Sequence, residues 1–145
     1  MVELLPDQNL KENLLEAVDD TYMRAMRYYA MIDVEKPNTV HRLRIAFKKF
    51  RYMIEIIYPL LEGFPDGDFQ KMHDYQGMMG NIQDMEAFLQ QLSDFADSKS
   101  AANSQTIQDH YTARLKQSLF NYLEYKGELL TFWRAAPDKS FPWEN

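Results

Sequence analysis

One stretch of the sequence, from Val40 to Leu61, constrains the fold more than any other. At about 100° per residue, a helix through this stretch has an apolar face and, opposite it, a cationic strip. The apolar face consists of Leu43, Ala46, Phe47, Phe50, Ile54, Ile57 and Leu61, and the cationic strip of His41, Arg44, Lys48 and Arg51. The pattern predicts a helix that packs through its apolar back and keeps its basic front for a ligand.

Charge is distributed unevenly along the chain. Residues 36–54 include no Asp or Glu and six cations, namely Lys36, Arg42, Arg44, Lys48, Lys49 and Arg51. Since the whole chain carries −6 and this segment +6, the remainder carries −12. Like charges one helical turn apart repel by roughly 0.2–0.5 kcal/mol per pair, so their accumulation indicates an anion site suited to a row of phosphate oxygens. The alternative is a solvated face whose acidic partners lie on neighbouring helices.

Three further segments show helical periodicity, and no segment shows a strand pattern. The four predicted helices cover about residues 8–33, 38–62, 68–95 and 105–133. Pro59 is expected to shorten the second helix, and Gly77 and Gly80 indicate either a bend or a close approach in the third. Short connections between four helices predict an all-α fold, an antiparallel four-helix bundle, formed by a single domain of residues 1–145.

Several classes of protein are not favoured by the sequence. The chain has no cysteine, no signal-peptide pattern at its N terminus and no apolar run near the about 18 residues of a membrane span, which predicts a cytoplasmic protein without membrane association. Its negative charge argues against nucleic acid as a partner. Because no catalytic or metal-binding motif is present, we expect neither an enzyme nor a metal or cofactor site.

The three histidines are predicted to differ in role. His73 and His110 occur singly on the third and fourth helices and are assigned structural roles, whereas His41 heads the cationic strip. Positive charge is disfavoured near a helix N terminus, and a bound polyanion would favour the protonated imidazole. We therefore expect the affinity of the strip for a polyanion to rise as the pH falls through about 6.5.

Two blocks of the sequence resemble one family. Val-His41-Arg-Leu-Arg44-Ile-Ala-Phe-Lys-Lys-Phe-Arg51-Tyr, followed by an apolar turn ending in Pro-Leu, is similar to the pattern of the CHAD domain, the conserved histidine α-helical domain. Residues 75–84 also resemble its Leu-Gln-x-x-Leu-Gly-x-x-Asn-Asp block, with Tyr75, Met79 and Gln83 replacing the usual residues. The resemblance spans about residues 40–92.

The resemblance implies a non-catalytic module that binds inorganic polyphosphate or another polyanion through basic helix faces. Carried over by position, the implied ligand residues are His41, Arg42, Arg44, Lys48, Lys49 and Arg51. Asp84, at a position of the second block, is expected to support a basic side chain rather than to contact phosphate.

CHAD domains usually contain two four-helix halves in one chain, with their basic helices facing each other across a channel, and this sequence resembles one half, most closely the C-terminal one. It is therefore compatible with a fragment of a longer protein, a half that pairs with a second copy, or a reduced domain that has lost its ligand. The second case predicts a homodimer that completes the two-bundle arrangement.

Two other functions compete with polyphosphate binding. The first is a scaffold whose basic strip binds an acidic protein helix. The second is a histidine phosphotransfer domain with His41 as the phosphoacceptor, because Arg44 follows it three residues later. The bulky Ile45 and the number of cations argue against phosphotransfer, since one phosphoryl group needs fewer positive charges.

Overall fold

The computed structural model of the chain describes residues 6–99 and 104–144. Within these ranges it contains four α helices and no strand, which confirms the predicted all-α, four-helix fold. The helices are α1 (Pro6–Ala30), α2 (Asn38–Ile57), α3 (Gly67–Lys99) and α4 (Ser104–Tyr125).

The helices end where the sequence supplies residues that weaken α-helical hydrogen bonding. Helix α2 stops at Ile57 and continues as a single 3-10 turn, Tyr58–Leu60, because Pro59 has no N–H to donate. The predicted shortening by Pro59 is therefore confirmed. Helix α4 stops at Tyr125, and the chain continues as a 3-10 helix, Lys126–Thr131, through Gly127 rather than as an α helix to Trp133.

The start of α2 is stabilised by its preceding loop rather than by a helix cap. No side chain caps the first turn of α2, although Asn38 and Thr39 at its start are residue types that commonly cap helices. The Thr39 hydroxyl instead accepts a hydrogen bond from the Asp33 backbone N–H at 3.0 Å and lies 2.8 Å from the Lys36 carbonyl. These contacts close the loop between α1 and α2 and fix where the basic strip begins.

Helix α2 supplies the largest share of the core and packs against both α1 and α3. Its buried residues are Val40, Leu43, Ala46, Phe47, Phe50, Ile54 and Ile57, which confirms the predicted apolar face apart from the half-buried Leu61. The ring centroid of Phe47 lies 5.0 Å from that of Tyr75 on α3, and that of Phe50 lies 4.9 Å from that of Tyr22 on α1. Burying each phenylalanine contributes about 1.5–3 kcal/mol, so α2 holds a fixed rotation about its own axis.

Helices α3 and α4 share the core unequally. Helix α3 contributes Met72, Tyr75, Met79 and Ile82, whereas α4 contributes only Tyr122 among its buried residues. At 1.5 Å per residue, the 33-residue α3 is about 50 Å long and the 20-residue α2 about 30 Å. The second half of α3 therefore pairs mainly with the first half of α4. Ile107, whose spacing from Tyr111 and Leu115 would place it on the inward face of α4, has a side chain that is 41% exposed.

Three buried tyrosine hydroxyls join α1, α3 and α4 to the 3-10 segment after α4. The Tyr75 hydroxyl donates to the Lys126 carbonyl at 2.9 Å and lies 2.8 Å from the Tyr122 hydroxyl. The Tyr22 hydroxyl donates to the Leu129 carbonyl at 2.7 Å. Each buried hydroxyl thus has a partner, as a packed core requires.

These tyrosines predict a loss of stability in alkaline solution. Burial raises the pKa of Tyr22 and Tyr75 above the usual 10.0 and that of Tyr122 to about 12. The unfolded chain releases these protons above about pH 10 while the folded chain keeps them, so their contribution is complete below that pH and is lost as the pH rises. We expect the free energy of unfolding to fall by about 1.4 kcal/mol per pH unit for each such tyrosine.

Denaturant titrations at about pH 9 and about pH 11 measure this effect. The variant Tyr122→Phe should show a shallower pH dependence than the wild type. Tyr125→Phe, at a position that is 56% exposed, should not. Equal stability of the wild type at the two pH values would contradict the prediction.

The C-terminal segment folds back onto the bundle. The rings of Phe141 and Trp143 stack with centroids 4.7 Å apart, and Phe141 also contacts the buried Trp133. The Trp143 indole N–H donates to the Glu62 carbonyl at 3.1 Å. Phe141 and Trp143 thus both dock this segment onto the bundle.

A buried carboxylate anchors the same segment to α1. Asp19 is 3% exposed, and its Oδ1 accepts hydrogen bonds from Trp133 Nε1 and Arg134 Nε, both at 2.8 Å. Its Oδ2 accepts from Arg134 Nη2 at 2.7 Å, which makes the pair with Arg134 bidentate. The contact joins residues 115 positions apart.

Candidate functional site

The six basic residues predicted as ligands do not share one face of α2. Arg44 and Arg51, seven residues apart, point towards α3, and His41 and Lys48 lie beside them on the outward face. Arg42 and Lys49, also seven apart, lie on the opposite flank, and Lys49 faces α1. The structure thus divides the predicted set between the two sides of α2.

Arg44 and Arg51 line an open groove between α2 and α3, called here the α2/α3 groove, with a volume of about 360 Å³. Its other wall belongs to α3 and consists of His73, Gln76, Gly77, Gly80, Asn81 and Asp84. The α3 residues recur at three- and four-residue steps, so they form one face of that helix. The groove is basic on its α2 side and mostly neutral on its α3 side.

Arg44 is held in the groove by a neutral partner. Its Nη1 donates to Gln83 Oε1 at 3.0 Å. Its side chain crosses Gly80, where an added Cβ atom would lie 3.4 Å from Arg44 Nε. The absence of a side chain at Gly80 therefore makes room for the guanidinium group. Because Gln83 carries no charge, the positive charge of Arg44 is not neutralised by this contact.

Arg51 and Lys48 share the ring of Tyr52 on the outward side of α2. The Arg51 guanidinium lies 5.3 Å and the Lys48 ammonium 5.7 Å from the ring centroid. Arg51 Nε also lies 3.7 Å from a carboxylate oxygen of Glu55, a residue whose side chain is 50% exposed. A solvent-exposed pair at this distance stabilises by about 0–1 kcal/mol, so Glu55 offsets the charge of Arg51 only weakly.

Among the described residues, no carboxylate of an adjoining helix lies within ion-pair distance of a basic residue of α2, although Asp20 of α1 and Asp84 of α3 line the same cavities. Over residues 6–99 and 104–144, the pair of Arg51 with Glu55 is the one contact within 4 Å between a predicted ligand residue and a carboxylate. Both members belong to α2. The interpretation of the strip as a solvated face with acidic partners on neighbouring helices therefore finds no support in this part of the chain.

Several polar atoms of this region are buried without a hydrogen-bond partner among the described residues. They are Arg44 Nε, Arg51 Nε, Gln76 Oε1 and His41 Nδ1, and the first three belong to groove residues. An unsatisfied buried polar group costs about 1–3 kcal/mol. Buried donors without a protein partner at the edge of an open groove are candidate contacts for a ligand or an ordered water.

Sequence reasoning missed most of the α3 wall. His73, assigned a structural role, is exposed at the groove, and Gln76 and Asn81 lie beside it. His73, Gln76 and Asn81 each lie four residues from Gly77 or Gly80, and this helical spacing indicates that they share one face of α3. Asp84 lines the groove but forms no ion pair within the described ranges, and Gln83 rather than Asp84 supports Arg44, so the predicted role of Asp84 as a support is wrong.

Chemically, the groove offers guanidinium donors, side-chain amides and an imidazole, a set suited to oxyanions. No group of three or more His, Asp or Glu side chains in the described parts of the chain is placed to hold a metal ion. Across the same parts, no helix is both long and apolar enough to cross a membrane.

The sequence model of the CHAD domain family matches residues 3–93, nearly two thirds of the chain. The match covers α2 and both walls of the α2/α3 groove, and it ends before α4. No curated protein and no solved structure matches the chain.

Proposed function

Because this chain belongs to the CHAD domain family, we propose that it binds inorganic polyphosphate or a similar linear polyanion and performs no catalysis on it. The family is linked to polyphosphate binding in general. The observation that carries the proposal is the α2/α3 groove, which the partly exposed Arg44 and Arg51 line and where, over residues 6–99 and 104–144, their one carboxylate partner is Glu55.

The spacing of the basic residues suits a linear ligand. At 1.5 Å per residue, Arg44 and Arg51 are separated by about 10.5 Å along the axis of α2, and Lys48 lies about 6 Å from Arg44. A chain of phosphates laid along α2 meets all three in succession. Guanidinium groups contact phosphate oxygens through two parallel hydrogen bonds, and the ammonium group of Lys48 acts as a point charge between them.

The α3 wall is built for close approach. Gly77 and Gly80 place no side chain in the groove, and an added Cβ atom at Gly77 would meet nothing within 4 Å. At Gly77 a phosphate chain can therefore lie near the α3 backbone, with Gln76, Asn81 and His73 as side-chain contacts, whereas at Gly80 the corresponding space holds the Arg44 side chain. Glycines at these two positions weaken α3 by about 1 kcal/mol each relative to alanine, a cost that an open groove explains.

Titration of long-chain polyphosphate into the wild-type protein tests the proposal directly. Binding should weaken steeply with salt, because each phosphate contact on a flexible single-stranded polyanion contributes about 0.7 to the slope of log K against log salt concentration. Three contacts give a slope of about −2. Absence of binding at low salt would contradict the proposal.

Substitutions of Gly77 are expected to change polyphosphate affinity and protein stability in opposite directions. The variant Gly77→Leu is expected to raise the free energy of unfolding by up to about 1 kcal/mol, since leucine favours helices, and to lower polyphosphate affinity because its side chain occupies the groove. Gly77→Ala should give a similar stability gain with a smaller loss of affinity. Unfolding and binding titrations on both variants measure this, and an unchanged affinity for Gly77→Leu would contradict the placement of the ligand.

We also propose that the ligand promotes a homodimer. Two copies related by a twofold axis would bring their basic strips together, and the repulsion between them requires an anion to offset it. Sedimentation with and without polyphosphate measures the dimer fraction. An unchanged monomer at saturating polyphosphate would contradict this part of the proposal.

One observation favours the scaffold as a second candidate. Ile45, Tyr52 and Ile56 are 45%, 44% and 67% exposed on the outward face of α2, next to Lys48. An apolar ridge flanked by cations suits an acidic amphipathic helix. The double variant Ile45→Ala/Ile56→Ala should abolish such a contact and leave polyphosphate affinity unchanged. Phosphotransfer has no comparable support, because the His41 side chain is partly buried.

A further inference from the structure

A second basic groove lies on the other side of α2, between α2 and α1. Lys49 shares a pocket there with Asp20, Thr21 and Arg24 of α1. Arg24 and Asp20 also line an adjoining cleft that includes Arg27. The two cavities are adjacent, since they share Asp20 and Arg24, and together they are called here the α1/α2 groove, although the second is lined by α1 residues alone, including the exposed Met23. It is separated from the α2/α3 groove by the outward face of α2.

The α1/α2 groove contains three cations, Arg24, Arg27 and Lys49, and one carboxylate, that of Asp20. None of these four residues has an ion-pair partner within 4 Å in the part of the chain that the structure describes. Arg27 is the basic residue in the last turn of α1, where the helix dipole stabilises a positive charge. The dipole therefore explains the position of Arg27 but not those of Arg24 and Lys49. Lys49 belongs to α2, and yet its side chain lines the same groove as Arg24 of α1.

The first turns of α2 connect the two grooves. At the N-terminal end of α2, three exposed or half-exposed residues lead around the helix from Arg44 to the opposite flank. They are His41, Asn38 and Arg42, and Arg42 lies on the same flank as Lys49. This route avoids the apolar ridge of Ile45, Tyr52 and Ile56 nearer the middle of the helix. It also passes the positive end of the α2 dipole, where anions are stabilised.

We propose that the α1/α2 groove is a second phosphate-binding subsite and that a long polyphosphate chain occupies both grooves by passing around the N-terminal turns of α2. The inference rests on the proposed function. It explains why the predicted ligand residues are divided between two flanks of one helix: Arg44 and Arg51 hold one part of the ligand, Lys49 and Arg42 another. It also makes affinity dependent on ligand length, because a ligand confined to one groove gains nothing from the other.

The test compares inorganic triphosphate with long-chain polyphosphate. In Arg24→Ala/Arg27→Ala, triphosphate affinity should stay within about twofold of wild type, whereas long-chain affinity should fall by about tenfold or more and its salt slope by about 1.4. Both arginines are exposed, so the variant should fold, and thermal unfolding verifies this. The matched control Arg114→Ala/Lys116→Ala removes the same charge from exposed positions on α4.

A variant of opposite sign completes the test. Asp20→Asn removes the carboxylate of the α1/α2 groove and should raise long-chain affinity severalfold without changing triphosphate affinity. An unchanged long-chain affinity in Arg24→Ala/Arg27→Ala, or a loss equal to that of the control variant, would overturn the second subsite while leaving the proposed function intact. Failure of the wild type to bind either probe would overturn both.

Discussion

Replacing Arg44, Lys48 and Arg51 together by alanine is expected to lower the affinity for long-chain polyphosphate by about a thousandfold at low salt. Each side chain contributes a charge-assisted contact worth about tenfold or more in affinity. These three residues lie in succession along the α2/α3 groove and its outward edge, so one ligand meets all of them. Calorimetric titration of wild type and variant measures the difference.

Loss of net charge alone cannot produce this result. The triple variant changes the net charge from −6 to −9, as does Arg114→Ala/Lys116→Ala/Lys139→Ala, whose three replaced residues are exposed and outside both grooves. The control should retain most of the affinity, because its three charges lie outside both grooves and make no direct contact with the ligand; repeating the comparison at about 0.15 M salt, where the Debye length is about 8 Å, removes the remaining long-range effect. Equal losses in the two variants would show that the polyanion responds to overall charge and not to the groove.

The triple variant should remain folded. Arg44 loses its hydrogen bond to Gln83, a neutral acceptor, which costs about 1 kcal/mol, and Arg51 loses a pair with the half-exposed Glu55 worth about 0–1 kcal/mol, while the repulsion among the three cations is relieved. The apolar face of α2 is unchanged. We therefore expect similar unfolding midpoints for variant and wild type, which makes the affinity loss attributable to the ligand contacts.

The second large effect concerns stability. Asp19→Ala is expected to lower the free energy of unfolding by about 3–5 kcal/mol, because it leaves the charge of Arg134 and the Trp133 N–H without their buried partner. Asp19 accepts three hydrogen bonds from Trp133 and Arg134 and thereby fastens this part of the C-terminal segment to α1. Denaturant unfolding followed by tryptophan fluorescence reports on Trp133 directly.

The adjacent residue supplies the control. Asp20 is exposed, and Asp20→Ala should change stability by no more than about 0.5 kcal/mol. Asp19→Asn keeps one oxygen for Trp133 Nε1 but loses the charge that pairs with Arg134, so its effect should fall between the two. A loss below about 1 kcal/mol for Asp19→Ala would contradict the anchoring role of this contact.

The packed face of α2 was readable from sequence because it depends on local periodicity. Leu43, Phe47 and Phe50 recur at helical spacing, and no rearrangement of the other helices would turn them outward without exposing large apolar surface. The same reasoning identified α2 as the basic helix. It placed Arg42 and Lys49 outside the strip of His41, Arg44, Lys48 and Arg51, but it could not show which helix packs on each flank, and this assigns Arg44 and Lys49 to different grooves.

The partners of those cations come from distant parts of the chain. Gln83, which holds Arg44, is 39 residues away, and Arg134, which pairs with Asp19, is 115 residues away. No local sequence pattern predicts either pairing, because the sequence contains several other glutamines and arginines that could form the same hydrogen bonds. The exposure of Ile107 also depends on distant parts of the chain. Apolar residues at helical spacing predict a buried face on α4, but they cannot show that α2 is too short to cover that face.

By itself, then, the sequence determined the four helices, the apolar back of α2 and the concentration of positive charge on its front, since each follows from interactions among residues a few positions apart. The tertiary structure alone decided that α3 presents Gly77, Gly80 and His73 to Arg44 and Arg51, and that α1 presents Arg24 to Lys49. Grooves form where two helices meet, and their composition depends on the rotation and register that core packing imposes on both.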